Sequence, residues 1–176
     1  TDDVWSMLHS YAFDFSVWEI FGAAYNKSKL LIIPRDVRTM FDLFWDYITE
    51  HKVSILSQTP TFFSQLIPVA SQKKTEYCHI KYVVFGGERL NYSSLRNWVD
   101  VYPLNNTKLI NMYGITETTV HSTFYQIKEE DLCQNKSIIG SELPGWKVVL
   151  KDQDGINIEA HNIEGEICVY GKGVSS

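Results

Sequence analysis

The chain has 176 residues, of which 44% are hydrophobic, and a formal net charge of −5. This composition is typical of one globular domain or of a large part of one. The lysines form no basic stripe and no apolar run reaches the roughly 18 residues that span a bilayer, so neither nucleic acid nor a membrane is an expected partner. Three widely spaced cysteines fit neither a disulfide framework nor a zinc site, and they favour a reducing, cytoplasmic location.

The first predicted helix begins at a pattern typical of a capping box, SVWE at residues 16–19. In such a box the side chain of Ser16 accepts a hydrogen bond from the backbone N–H of Glu19, and Glu19 reaches back to the start of the helix. The predicted helix covers residues 17–25. A short buried strand over residues 30–33 follows it.

Helix and strand patterns then alternate along the chain. In order, they are a helix over 40–51, a strand over 53–56, a helix capped by Thr61, a strand over 82–85, a helix over 93–101 and a strand over 108–112. This alternation predicts an α/β fold with a parallel sheet layer and flanking helices. From Gly145 onward, alternating segments around a turn at 152–155 predict a small antiparallel β-region, so we expect one unit over 1–144 and the incomplete start of another over 145–176.

Three segments are expected at the carboxyl edge of the sheet, where open α/β sheets bind their ligands. They are Gly86-Gly87-Glu88, residues 111–120 and residues 13–18. A glycine pair lets the backbone approach a ligand closely. Residues 111–120, NMYGITETTV, add a ring that can stack on a base and a carboxylate that can hold a magnesium ion bridging phosphate oxygens.

Asp14 lies between two phenylalanines near a predicted helix N-terminus, whose partial positive charge favours an ionised carboxylate. Because Ser16 is the predicted cap, Asp14 is not needed for capping. An ionised acid in an aromatic setting requires a cationic partner. Asp14 is therefore a candidate for binding a cation.

Three segments of the chain resemble motifs of the adenylation domains of nonribosomal peptide synthetases. NMYGITETT at residues 111–119 is similar to the family's N-x-Y-G-P-T-E motif, FDFSVWE at 13–19 to the motif that opens the amino-acid pocket, and GEICVYGKG at 165–173 to the later G-E-L-x-I-x-G motif. Their order and approximate spacing also agree. Ile115 stands where the family usually has proline, which removes a rigid φ but no reacting group.

The resemblance implies part of the large N-terminal subdomain of an adenylate-forming enzyme. Such an enzyme uses ATP and Mg²⁺ to convert an amino acid to aminoacyl-AMP and pyrophosphate, and passes the acyl group to the phosphopantetheine thiol of a carrier protein. Implied catalytic residues are Thr116, at the phosphate, and Glu117, on the magnesium. Implied nucleotide-binding residues are Gly86, Gly87, Glu88, Asn111, Tyr113 (stacked on adenine), Gly114 and Thr116.

The resemblance also implies an amino-acid pocket in which Asp14 binds the substrate's α-ammonium. The implied lining is Asp14, Phe15, Trp18, Ser57, Val84, Gly86, Met112, Val120 and His121. Bulky members of this set disfavour a large aromatic substrate, whereas Ser57 and His121 offer hydrogen bonds. The set is similar to linings associated with threonine, except that Ser57 stands where Asn is expected, so serine and a short diamino acid stay open.

The sequence begins without Met and stops after GKGVSS, so we expect a piece of a longer protein, truncated at both ends. The family's glycine-rich phosphate loop and its catalytic lysine would lie outside it, and residues 1–176 alone are expected to be inactive. Carrier-protein and condensation domains of the same assembly line are the expected partners. Two alternatives remain: an acyl-CoA or aryl-acid ligase of the same superfamily, and a non-catalytic nucleotide-binding module.

Overall fold

The structure, a computed structural model, describes residues 2–74, 78–134, 136–160 and 162–175. Its centre is a seven-stranded sheet with the order β2-β1-β3-β4-β5-β6-β7. Neighbouring strands from β2 to β5 are parallel, and β6 and β7 extend the sheet in antiparallel fashion. The strands are β1 Val4–Met7, β2 Lys29–Ile32, β3 Ile55–Gln58, β4 Tyr82–Phe85, β5 Lys108–Tyr113, β6 Thr123–Gln126 and β7 Ser141–Glu142.

Helices lie on both faces of the sheet, as the α/β prediction requires. They are α1 Phe15–Tyr25, α2 Arg35–Arg38, α3 Phe41–Glu50, α4 Pro60–Lys73 and α5 Arg96–Val99. The larger apolar core joins α3, α4 and α5 to one sheet face, and its centre is a group of aromatic rings that includes Trp45, Phe63 and Trp98. The opposite face packs against α1 through Trp5, Trp18 and Ala23. The predicted fold class is confirmed.

The predicted capping box at the start of α1 is wrong. The helix begins at Phe15, and its N-cap residue is Asp14, whose side chain makes no capping hydrogen bond. Ser16 Oγ instead donates to the carbonyl of Phe13 at 2.7 Å. The Glu19 side chain turns into the protein, where it accepts hydrogen bonds from the backbone N–H groups of Leu8 and His9. Tertiary contacts have therefore replaced the local capping pattern.

Other predicted boundaries also shift. Strand β2 lies at the edge of the sheet, paired only with β1 among the described strands, and is partly exposed instead of buried. The cap of α4 is Thr59, whose Oγ1 accepts from the N–H of Phe62, so Thr61 belongs to the first turn. The segment predicted as one helix over 93–101 is divided into a 3₁₀ turn, Tyr92–Leu95, and α5.

The predicted antiparallel region is confirmed as a two-stranded sheet of β8, Trp146–Lys151, and β9, Glu166–Gly171. In the turn after β8, Asp152 Oδ1 accepts from the N–H groups of Asp154 and Ile156 at 3.0 and 2.8 Å. The unit boundary between 144 and 145 stays a prediction. Within the described ranges, no helix combines the length and apolar character needed to cross a membrane.

Candidate nucleotide and amino-acid sites

A cavity of about 430 Å³ opens beyond the carboxyl ends of β4 and β5, at the sheet edge where ligands were predicted. Its walls combine a backbone turn, the last residues of β5 and part of the segment before β7. They are Gly87, Glu88, Arg89, Asn111, Met112, Tyr113, Gly114, Ile115, Ser137 and Ile139. Five of the residues predicted to bind a nucleotide therefore line one cavity: Gly87, Glu88, Asn111, Tyr113 and Gly114.

Two polar side chains in the wall of this cavity make hydrogen bonds to other residues of the protein. Glu88 Oε2 accepts hydrogen bonds from the backbone N–H and the hydroxyl of Thr61, at 3.0 and 2.5 Å, and so holds the first turn of α4. Asn111 Nδ2 donates to the carbonyl of Ile138 at 2.8 Å and to the hydroxyl of Tyr92 at 3.3 Å. Both residues thus shape the cavity by holding its walls.

The loop after β5 is tightly folded, because its first residue, Gly114, packs directly against the backbone of Val120. A Cβ at Gly114 would lie 2.2 Å from the carbonyl oxygen of Val120, so only glycine fits there. Thr119 and Val120 both have positive φ angles, 50° and 70°, which are unfavourable for β-branched residues. Such strained backbone is concentrated at functional sites, where the surrounding structure enforces it.

Ile115 occupies the position where the family usually has proline, and the structure shows a specific consequence. Its φ is −126°, outside the range that a proline ring permits, and its N–H donates to Thr118 Oγ1 at 3.1 Å. A proline could not make this bond. Here the turn is therefore held by a hydrogen bond in place of a rigid ring.

Thr116 and Glu117 lie directly after this turn, in the 3₁₀ helix Thr116–Thr118. The Thr116 hydroxyl donates to Asp14 Oδ2 at 2.8 Å and connects the two predicted sites. The side chain of Glu117 is exposed, while its carbonyl accepts from the N–H of Ser175 beyond β9. One carboxylate fits a magnesium ion, which commonly takes one or two carboxylates, substrate phosphates and several waters.

The residues predicted to bind the amino acid meet around the start of α1. The ring of His121 contacts Phe15 edge-on, with centroids 5.1 Å apart, and lies 5.3 Å from the ring of Trp18. A Cβ at Gly86 would be only 3.2 Å from His121 and 3.3 Å from Phe15, so any side chain there would crowd both rings. Val84, Met112 and Val120 belong to the same apolar cluster as Phe15, and Ser57 pairs with Val84 on the neighbouring strand.

Several buried polar atoms in this pocket have no hydrogen-bond partner among the described residues. They are Trp18 Nε1, Ser57 Oγ and both ring nitrogens of His121. Buried polar groups are normally satisfied, because each unmade bond costs about 1–3 kcal/mol. Within the part of the chain that the structure describes, these atoms therefore remain available as donors and acceptors.

His121 is electrostatically distinct within this pocket. Burial lowers its pKa from the usual 6.5 to about 4, and the nearby Asp14 carboxylate opposes part of that shift. At neutral pH the imidazole is therefore uncharged. It can accept one hydrogen bond and donate another, as recognition of a hydroxyl group requires.

A second cavity of about 430 Å³ lies on the face of the sheet that α1 covers, and it is mainly apolar. It shares Trp18, Val84 and Met112 with the amino-acid pocket. Its other lining residues were not predicted as site residues. They are Asp3, Trp5, Asn26, Ile55, Tyr82, Ile110, Phe124 and Leu143. Four of them, Trp5, Ile55, Tyr82 and Ile110, come from four different parallel strands, so only the folded sheet brings them together.

The two candidate sites adjoin at the carboxyl edge of an open α/β sheet, joined by the bond between Thr116 and Asp14. The family described as AMP-binding enzyme matches residues 1–176, and the chain belongs to that family. It is 41% identical over 174 residues to a plipastatin synthase protein of Bacillus subtilis (strain 168), a match that covers 99% of this chain and 7% of that protein. It is 39% identical to syringomycin synthase SyrB1 of Pseudomonas syringae pv. syringae, covering 98% of this chain and 28% of that protein.

Solved structures show the same fold. Holo-PA1221, an NRPS protein containing adenylation and PCP domains bound to a vinylsulfonamide inhibitor, superposes with a TM-score of 0.86 at 23% identity, covering 99% of this chain and 29% of that one. CmiS6 superposes with a TM-score of 0.89 at 19% identity, covering 98% of this chain and 41% of that one. The resemblance to adenylation domains of nonribosomal peptide synthetases is confirmed, and the chain spans only a small part of the length of these synthases.

Proposed function

We propose that this chain carries the amino-acid pocket and the adenine and magnesium contacts of a domain that activates an amino acid with ATP. The observation that supports this most strongly is the pocket at the start of α1. The Asp14 carboxylate there lies close enough to act on the charge of His121, and Ser57 Oγ and both ring nitrogens of His121 are buried with no hydrogen-bond partner among the described residues. A free amino acid has the ammonium and the polar groups that such a pocket requires.

In this proposal, Asp14 binds the α-ammonium and so directs the substrate carboxylate toward Thr116 and Glu117. The distance between the two sites is short, because Thr116 Oγ1 and Asp14 Oδ2 are 2.8 Å apart. The carboxylate attacks the α-phosphate of ATP, forming the aminoacyl-AMP mixed anhydride and releasing pyrophosphate. The protein contributes positioning of the two reactants. Magnesium held by Glu117 would neutralise phosphate charge.

Threonine is the proposed substrate, with serine and a short diamino acid as the remaining candidates. Phe15, Trp18 and Met112 limit the size of the side chain, and the neutral imidazole of His121 can bond to a hydroxyl group. A site built to bond a hydroxyl strongly rejects analogues that lack it. A side chain at position 86 would crowd the rings of Phe15 and His121, so glycine there leaves both rings in place.

We further propose that the acyl group passes to the phosphopantetheine thiol of a carrier domain, and that condensation domains of the same assembly line are partners. Support comes from PA1221, which combines adenylation and PCP domains, and from the relatives named as synthases. The three free cysteines are consistent with the expected cytoplasmic location. Residues 1–176 alone are still predicted to lack adenylation activity.

The test is amino-acid-dependent ATP–pyrophosphate exchange by the full-length protein and its Asp14→Ala variant. Loss of the ammonium's partner should abolish amino-acid activation, while Asp36→Ala, which removes an exposed carboxylate on α2, should not. Undiminished exchange by Asp14→Ala would favour an acyl-CoA or aryl-acid ligase, whose substrates have no ammonium. Absence of exchange with every acid would favour a non-catalytic nucleotide-binding module.

A further inference from the structure

His9, which is partly buried, and Glu19, which is fully buried, form a pair directly beside the amino-acid pocket. His9 Nδ1 lies 3.0 Å from Glu19 Oε1, and the two side chains are 14% and 0% exposed. Neither residue lines either of the two cavities beside the pocket. The motif resemblance includes Glu19 only as part of residues 13–19 and does not include His9.

The Glu19 carboxylate fixes the orientation of His9. Burying a carboxylate is costly unless it is hydrogen-bonded and paired, and Glu19 accepts from the backbone N–H groups of Leu8 and His9 at 3.2 and 3.3 Å. His9 Nδ1 lies within hydrogen-bond distance of the same carboxylate, at 3.0 Å from Glu19 Oε1. Glu19 thereby contacts His9 at both its backbone N–H and its imidazole ring.

The ring of His9 stacks on Phe15, with centroids 4.3 Å apart and planes inclined by 22°. Phe15 in turn contacts His121 edge-on and lies close to Gly86, where a Cβ would be 3.3 Å from its ring. A displaced Phe15 ring would enter the space that the substrate side chain needs. The position of this ring therefore determines the dimensions of the amino-acid pocket.

We propose that His9, held by Glu19, is a positioning residue for substrate selection, acting through Phe15. This inference rests on the proposed amino-acid activation. His9 lines neither cavity and contacts Phe15 of the proposed amino-acid pocket, so its removal should affect amino-acid binding and leave ATP binding unchanged.

The test is a double-mutant cycle in the full-length protein, with the KM values for amino acid and for ATP measured separately. His9→Asn keeps a donor for Glu19 but removes the stacked ring. It should raise the KM for the preferred amino acid about fivefold, the magnitude of one aromatic pair, and change the KM for ATP and kcat by less than about twofold. In a Phe15→Ala background the same substitution should have no further effect. An equal rise in both backgrounds, or no rise in either, overturns the proposal.

Two further variants separate positioning from general destabilisation. His9→Tyr retains a ring against Phe15 and should keep the amino-acid KM within about twofold of the unmodified protein; a fivefold rise would contradict the proposal. His51→Asn is the matched control, because the His51 ring also contacts an aromatic ring, that of Tyr47 at 4.2 Å, but lies exposed at the end of α3. It should leave every constant unchanged.

If the unmodified protein shows no exchange with any amino acid, the proposed function fails and the positioning role is tested by structure instead. Crystal structures of the unmodified protein, His9→Asn and His51→Asn would be compared at Phe15. A ring displaced only in His9→Asn supports the role, and an unmoved ring overturns it.

Discussion

Neutral His121 should make the folded chain less stable in mild acid. Its pKa is about 4 in the folded protein and about 6.5 when unfolded, because burial disfavours the charged ring. Between these values the unfolded chain binds a proton that the folded chain does not. Stability is therefore complete above the unfolded value and is lost as the pH falls toward 4.

The magnitude follows from the two protonation equilibria. Lowering the pH from 7 to 5 should cost the folded state about 2 kcal/mol through this one group. Other groups also titrate in this range, so the contribution of His121 is the difference between two proteins. His121→Asn removes the titrating ring and should lose about 2 kcal/mol less than the unmodified chain over the same interval.

The assay is urea unfolding of the unmodified chain, His121→Asn and His51→Asn at both pH values, with the slope against urea checked for constancy. His51 lies exposed at the end of α3, so its removal should leave the pH dependence unchanged. If His121→Asn and the unmodified chain lose the same free energy on acidification, the neutral imidazole is refuted, and with it the proposed hydroxyl recognition.

Three substitutions test other parts of the site. Gly114→Ala places a Cβ 2.2 Å from Val120 O and should cost about 3 kcal/mol in urea unfolding, whereas Gly155→Ala, in open space, should cost about 1 kcal/mol for its positive φ. Glu117→Gln should lower kcat of pyrophosphate exchange about a hundredfold and raise the magnesium requirement, unlike exposed Glu50→Gln. Ser57→Asn, which restores the residue expected for threonine, should raise the preference for threonine over serine about tenfold in the same assay.

Each of these three predictions has an outcome that would contradict it. Equal costs for the two glycine variants would show that the close approach at Gly114 is relieved by movement of the loop. Full exchange activity in Glu117→Gln at low magnesium would remove Glu117 from the metal site. An unchanged preference in Ser57→Asn would mean that Ser57 does not face the substrate side chain.

The α/β fold could be predicted because its strands and helices carry strong local patterns. Strand β4 was predicted with its observed bounds, and the helix predicted over 40–51 is α3. The β6 strand was missed because its pattern is inverted: Thr123 is 1% exposed and Phe124 is 44% exposed. Whether the threonine or the phenylalanine is buried depends on the neighbouring strands, and no local sequence pattern carries that information.

The error at Glu19 has a similar cause. A Ser-x-x-Glu pattern is compatible with a capping box and with an inward-facing glutamate, because both place Glu19 one turn into the helix. The choice was made by the N–H groups of Leu8 and His9, which precede the helix and lie on its inner side. The bond between Asp14 and Thr116 joins residues 102 positions apart, and only the folded sheet reveals it.

In the proposed function, this chain's pocket selects an amino acid for activation. The most direct measurement is ATP–pyrophosphate exchange by the full-length protein across the proteinogenic amino acids, a short diamino acid and a set of aryl and fatty acids. We predict that threonine gives the strongest exchange, with serine next and aryl and fatty acids at background. Exchange with an aryl or fatty acid and none with any amino acid would show that the pocket does not select an amino acid.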